Sequence, residues 1–110
     1  MPVISYDAIP YEGTAVEASH PRRLAAIGRL FGLETPPVAS ARILEFGSAI
    51  GENLNAIAAG LPGAACIGID NAPRQVEFAR KVAADLGLGN VRFELRDILE
   101  VGPEEIGRAP

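Results

Sequence analysis

The sequence predicts an α/β fold: the N-terminal half of a doubly wound parallel sheet, in strand order 3-2-1, preceded by an N-terminal arm and a helix. Three observations carry this. Ile43–Phe46 is an apolar run that ends in a glycine turn, Gly47 to Gly51, and passes into a helical pattern. Strand-like and helix-like textures then alternate up to Ile98. The second and third strands each end in an acid: Asp70, nineteen residues after Gly51, and Asp97.

Each element follows from local pattern. Residues 1–19 carry Pro2, Pro10 and Gly13 without a clear period and read as an irregular arm. Ser19-His20-Pro21 resembles a helix start, with proline tolerated in the first turn. Leu24, Ile27, Leu30 and Phe31 follow at helical spacing, and Gly32 supplies a stop. Glu34–Ser40, with Pro36-Pro37, is a linker, so residues 1–40 form an arm and helix ahead of a partial domain at 41–110. Asn53–Ala59 is the next helix, closed by Gly60-Leu61-Pro62-Gly63. Ala65–Asp70 is continuously apolar or small, as a strand covered on both faces should be. Pro73–Leu86 is a helix with Val76, Ala79, Val82, Ala83 and Leu86 on one face. Val91–Arg96 alternates apolar with charged residues, which suits a sheet edge. Gly102-Pro103-Glu104-Glu105 reads as another helix opening. Right-handed crossovers give the parallel order. The second half of such a sheet is expected to be missing, which leaves strand one with an unpaired edge suited to self-association.

Bulk properties exclude several classes. At 110 residues the chain is one domain at most. Its net charge of -4 argues against binding a nucleic-acid backbone. A lone cysteine, Cys66, excludes an internal disulfide and fits a reducing compartment. No apolar run approaches the roughly 18 residues of a membrane span, and no signal peptide is visible. The expectation is a cytoplasmic protein.

The candidate site lies at the strand ends. Glycines at 47 and 51 let backbone approach a ligand. The helix after them directs its free N–H groups at the same spot, which favours a carboxylate or phosphate. Asp70 sits where an acid takes two ribose hydroxyls. Asp97 sits where a carboxylate accepts from an adenine amino group, with Asn71 and Ile98 flanking the base. Plain turns also use such glycines, and Asp70 or Asn71 would serve equally as a cap for the helix at Pro73. The combination at these spacings favours the site. The dinucleotide fingerprint G-x-G-x-x-G fails, because Ala49 and Glu52 stand where glycines are required. The looser short-chain dehydrogenase pattern needs glycine at Asn53 and lies nearer a chain start; an NAD(P)-binding domain of that kind is the alternative. Glu45 decides between them. A diphosphate gains nothing from a carboxylate there, whereas S-adenosylmethionine carries an ammonium and a cationic sulfur.

Arg42-Ile43-Leu44-Glu45-Phe46-Gly47-Ser48-Ala49-Ile50-Gly51-Glu52-Asn53-Leu54 resembles motif I of class I S-adenosylmethionine-dependent methyltransferases, often LELGCGxGxNL. Ile67–Val76 is similar to motif II and Asn90–Ile98 to motif III. Pro10-Tyr11 and Ser19–Leu24 resemble the arm of a bacterial subset in which a methyltransferase regulatory domain follows the catalytic one. The resemblance implies a Rossmann-like methyltransferase with S-adenosyl-L-methionine as cofactor. It implies a cofactor site at Glu45, Gly47, Ser48, Ala49, Gly51, Asn53, Asp70, Asn71, Asp97 and Ile98. Ala49 replaces the usual middle glycine, and Ile50 a position that is often acidic. No metal site and no catalytic base is assigned: His20 reads as part of a helix start and Cys66 as core. Tyr6 and Tyr11 are candidates either to cover the methionine end or to pack on the sheet. The methyl acceptor stays open. The 110-residue chain alone is expected to transfer no methyl group, and a non-catalytic remnant is the reading from a different class.

Overall fold

The computed structural model describes residues 20–102. The expected arm, Tyr6, Tyr11 and most of the helix opening at 102–105 lie outside the described residues. Within them the order is α1 (Pro21–Leu30), a 3-10 turn (Val38–Ser40), β1 (Arg42–Phe46), α2 (Glu52–Gly60), β2 (Ala65–Asp70), α3 (Pro73–Asp85), β3 (Val91–Leu95) and a second 3-10 turn (Ile98–Glu100). Both strand pairs are parallel, and β2 lies between β1 and β3. The expected α/β fold and strand order hold; element ends differ by a residue or two. Arg96 falls outside β3 as a strand residue, although its N–H still reaches the Asp70 carbonyl.

Register decides which side chains meet. Ile43 pairs with Cys66, and Cys66 with Val91; Gly68 pairs with Glu45 and Phe93. Side chains alternate along a strand, so these residues share one face. Both crossover helices pack there, as right-handed connections require. Leu54, Ile57 and Ala58 of α2, Val76, Ala79 and Ala83 of α3, and Cys66 and Phe93 of the sheet form the core. On the other face Leu44 and Ile67 stay partly exposed and Phe46 is exposed. β2 is therefore apolar on both faces while the described helices α2 and α3 cover one.

Glycine is required where these layers touch. A β-carbon on Gly68 would lie 2.8 Å from both Phe93 Cδ1 and Ser48 Cβ. One on Gly51 would lie 2.7 Å from Ala79 Cβ and 2.8 Å from Phe93 Cζ, and Gly51 is left-handed at φ +79°. Gly51 thus lets α2 start against α3 and β3, which is a packing role.

α1 begins as the sequence suggests. The N-cap is His20, whose Nδ1 accepts from the Arg22 N–H at 3.1 Å. Its end is closed by Gly32 N–H to Arg29 O and Leu33 N–H to Gly28 O. The helix buries none of its residues: Leu30 is 81% exposed, and Phe31, which follows the helix, 78%.

Candidate functional site

The three strands deliver their carboxyl ends to one side of the sheet. A cleft of about 520 Å³ opens there, lined by Phe46, Gly47, Ala49, Ile69, Asp70, Asn71, Gln75, Arg96, Asp97 and Ile98. Its size falls within the roughly 300–1,000 Å³ of small-molecule sites. Ligands of open parallel α/β sheets bind at this end.

Six of the ten expected residues line the cleft: Gly47, Ala49, Asp70, Asn71, Asp97 and Ile98. Ser48 is buried beneath the turn, and Gly51 behind it. Glu45 and Asn53 line a neighbouring groove along β1, which meets the cleft at Phe46. Phe46, Ile69, Gln75 and Arg96 were not anticipated. Register would have found Phe46 and Ile69, which are paired neighbours at the ends of β1 and β2.

The glycine turn is held by β2. Gly47 N–H and Ser48 N–H both donate to the Ile69 carbonyl, at 2.7 and 3.2 Å. Ala49 adopts φ +51°, left-handed for a residue with a side chain. Such a conformation costs on the order of 1–2 kcal/mol. Asp70 opposes that cost, because its Oδ2 accepts from the Ala49 N–H at 2.9 Å. Its Oδ1 accepts from the Ala72 N–H at 3.0 Å. The N-cap of α3 is Ala72, without a side-chain cap bond. Asp70 therefore ties the two loops together instead of capping α3. A carboxylate has about four lone-pair sites, so two remain for donors in the cleft.

Asp97 starts the second 3-10 turn: its Oδ1 accepts from the Leu99 N–H at 2.9 Å. Arg96 Nη2 donates to the Glu100 carbonyl at 2.9 Å and closes the same turn. The pair fixes Ile98, 54% exposed, against the cleft. At the other end, Asn53 Nδ2 donates to Glu45 Oε2 at 2.7 Å. Burial pushes the Glu45 carboxyl above its ordinary range, and the Asn53 bond pulls it part of the way back. Burial also raises the Cys66 thiol, and the Glu45 charge adds to this. The N-terminus of α2 has no side-chain cap bond. Among the described residues no group of three or more His, Cys, Asp or Glu is placed to hold a metal ion.

A parallel sheet with a left-handed glycine turn after β1 and acids at the ends of β2 and β3 defines an α/β domain for a nucleoside-type ligand. Residues 38–106 match the methyltransferase domain family, and the chain belongs to that family. It has the class I, Rossmann-like fold of S-adenosylmethionine-dependent methyltransferases. It is 37% identical over 98 residues to the uncharacterized protein RP028 of Rickettsia prowazekii (strain Madrid E), covering 89% of this chain and 39% of that protein. A second protein of that organism, RP789, is 35% identical over 96 residues and is covered to 17%. The structure of PKMT2 from Rickettsia typhi in complex with AdoHcy superposes with a TM-score of 0.80 at 32% identity, covering 84% of this chain and 18% of that one. The chain thus spans well under half the length of these relatives.

Proposed function

We propose that this chain is the S-adenosylmethionine-binding part of a methyltransferase. One observation carries the reading: six residues from all three loops at the strand ends converge on one cleft. The residues fit the cofactor. A β-carbon on Gly47 would meet nothing within 4 Å, so the turn faces open space. Asp70 offers its remaining lone pairs to the ribose hydroxyls. Asp97 and Ile98 stand at the end of β3 for the adenine, and Asn71 opposite. Glu45, beside the cleft at Phe46, meets the ammonium of the methionine end. Ser48 and Gly51 shape the turn from beneath. The cofactor, when bound, supplies a methyl group on a cationic sulfur. The chain's own part is to orient that group, and orientation is a large component of such catalysis.

The AdoHcy seen in PKMT2 supports this choice of ligand. The residues that hold the acceptor belong to other parts of the complete protein in this reading, and the 110 residues alone transfer no methyl group. Among the described residues no helix is long and apolar enough to cross a membrane. Together with the free, buried Cys66 this supports a cytoplasmic setting.

Calorimetric titration of the full protein with S-adenosylhomocysteine tests the reading. The expected result is one site per chain, lost on Asp70→Ala. Absence of heat, together with binding of a nicotinamide dinucleotide, would overturn it.

A further inference from the structure

Glu45 and Asn53 stand apart from the other expected residues. They line the groove along β1, and they are bonded to each other. We propose that Asn53 is a positioning residue: its side-chain amide holds the Glu45 carboxylate ionised and aimed at the mouth of the cleft, where it meets a cationic ligand group. The inference rests on the cofactor reading above for the identity of that cation.

The geometry is specific. Glu45 is the last acid before the glycine turn, and Asn53 lies in the first turn of α2 on the far side of that turn. The bond, at 2.7 Å, bridges eight residues and spans the loop Gly47–Gly51. Where the carboxyl is ionised the bond is charge-assisted, which favours the anion over the acid. The amide N–H donates to either form of the carboxyl and binds the anion more strongly, so it shifts the balance toward the carboxylate.

The charged surroundings of Glu45 give it little other help. On β2 the Cys66 thiol, which is buried, senses the Glu45 charge, and Asp70, two residues beyond the Glu45 partner Gly68, is a second acid. On α2, Glu52 is exposed and carries the same sign. On β1 itself, Arg42 lies at the opposite end of the strand, three residues away. From α1, the groove-lining residues Pro21, Leu24 and Ala25 carry no charge. Burial opposes ionisation. Among the described contacts, the Asn53 amide is the polar group that answers it.

A direct test follows the Glu45 side-chain carboxyl by NMR in the full chain without ligand, from pH 3 to 8. S-adenosylhomocysteine binding is measured over the same range. Asn53→Leu keeps the branched shape and removes the donor; Asn53→Gln keeps a donor. In Asn53→Leu the Glu45 midpoint is expected to move to higher pH. Its affinity should fall about tenfold, the worth of one charge-assisted bond, and the loss should begin at a higher pH than in the unsubstituted protein. Asn53→Gln should recover much of both effects. An unmoved Glu45 midpoint in Asn53→Leu, with the melting temperature retained, overturns the proposal. A moved midpoint with unchanged affinity overturns it as well, because Glu45 would then anchor nothing. Failure of the unsubstituted protein to bind would instead sink the cofactor reading, and the midpoint would still decide whether Asn53 holds the carboxylate.

Discussion

The two edges of the sheet are built differently. At β3, Asn90 O and Arg96 N bond to β2, so by alternation the backbone groups of Val91, Phe93 and Leu95 point outward. The outward Phe93 carbonyl is occupied by Arg80 Nε of α3 at 2.9 Å. Arg92 and Glu94 stand along the same strand, 3.7 Å apart. Charges and an occupied carbonyl discourage a further strand. At β1, Ala41 O and Gly47 N bond to β2, which leaves the groups of Arg42, Leu44 and Phe46 facing outward. No described strand takes them up. Beside them runs a groove of about 550 Å³ lined by Leu24, Pro36, Val38, Leu44 and Ile57 among others. One edge carries its own protection; the other is suited to receive a strand, whether from the rest of a longer protein or from a second copy.

Substitutions on the two sides should separate accordingly. Phe93→Ala removes the ring on which Gly51 and Gly68 close, and should cost about 3–5 kcal/mol in urea unfolding. Asn90→Ala should cost about 2 kcal/mol. Its Nδ2 donates to the carbonyls of Ala58, Leu61 and Ala64 at 3.1, 2.9 and 3.0 Å, and no other described side chain is seen to replace it. Arg80→Ala frees the Phe93 carbonyl and should cost about 1 kcal/mol, with a greater tendency to associate in sedimentation runs.

On the β1 side the sign changes. The folded Glu45 carboxyl is raised, so its contribution to stability is present at low pH and lost as pH rises through that raised value. Glu45→Gln should therefore melt higher than the unsubstituted chain at neutral pH, and the gain should vanish on acidification. The smallest effect is expected from Leu24→Lys, 55% exposed in the groove: below about 0.5 kcal/mol. A loss of several times that amount would show the groove to be filled in solution and would break the contrast between the edges.

Much of this was legible because periodicity reports burial. The continuous apolar texture of Ala65–Asp70 and the alternation after Val91 gave a central and an edge strand, and the pairing agrees. The glycine turn and the two acids were visible for the same local reasons. What escaped reading depends on contacts distant in sequence. Asn90 stands in the sequence only as the residue that precedes the third strand, yet it collects three carbonyls from around the end of α2. Gln75 is not among the residues read as the apolar face of its helix, yet it is 2% exposed beneath the cleft. Arg96 looked like the polar face of an edge strand, yet it closes the turn behind Asp97. The apolar stripe on α1 has the right period but stays open among the described residues, because periodicity shows that a face exists without showing what covers it.

The Asn90 amide has a consequence for the order of folding. Its three acceptors precede it by 26 to 32 residues, so the bonds form only as the segment that carries β2 and α3 closes into a loop. Once formed, they make the last turn of α2 and the residue that leads into β3 one cooperative unit. The amides at the end of α2, which would fray in an isolated helix, are then expected to exchange with solvent only when β3 leaves the sheet.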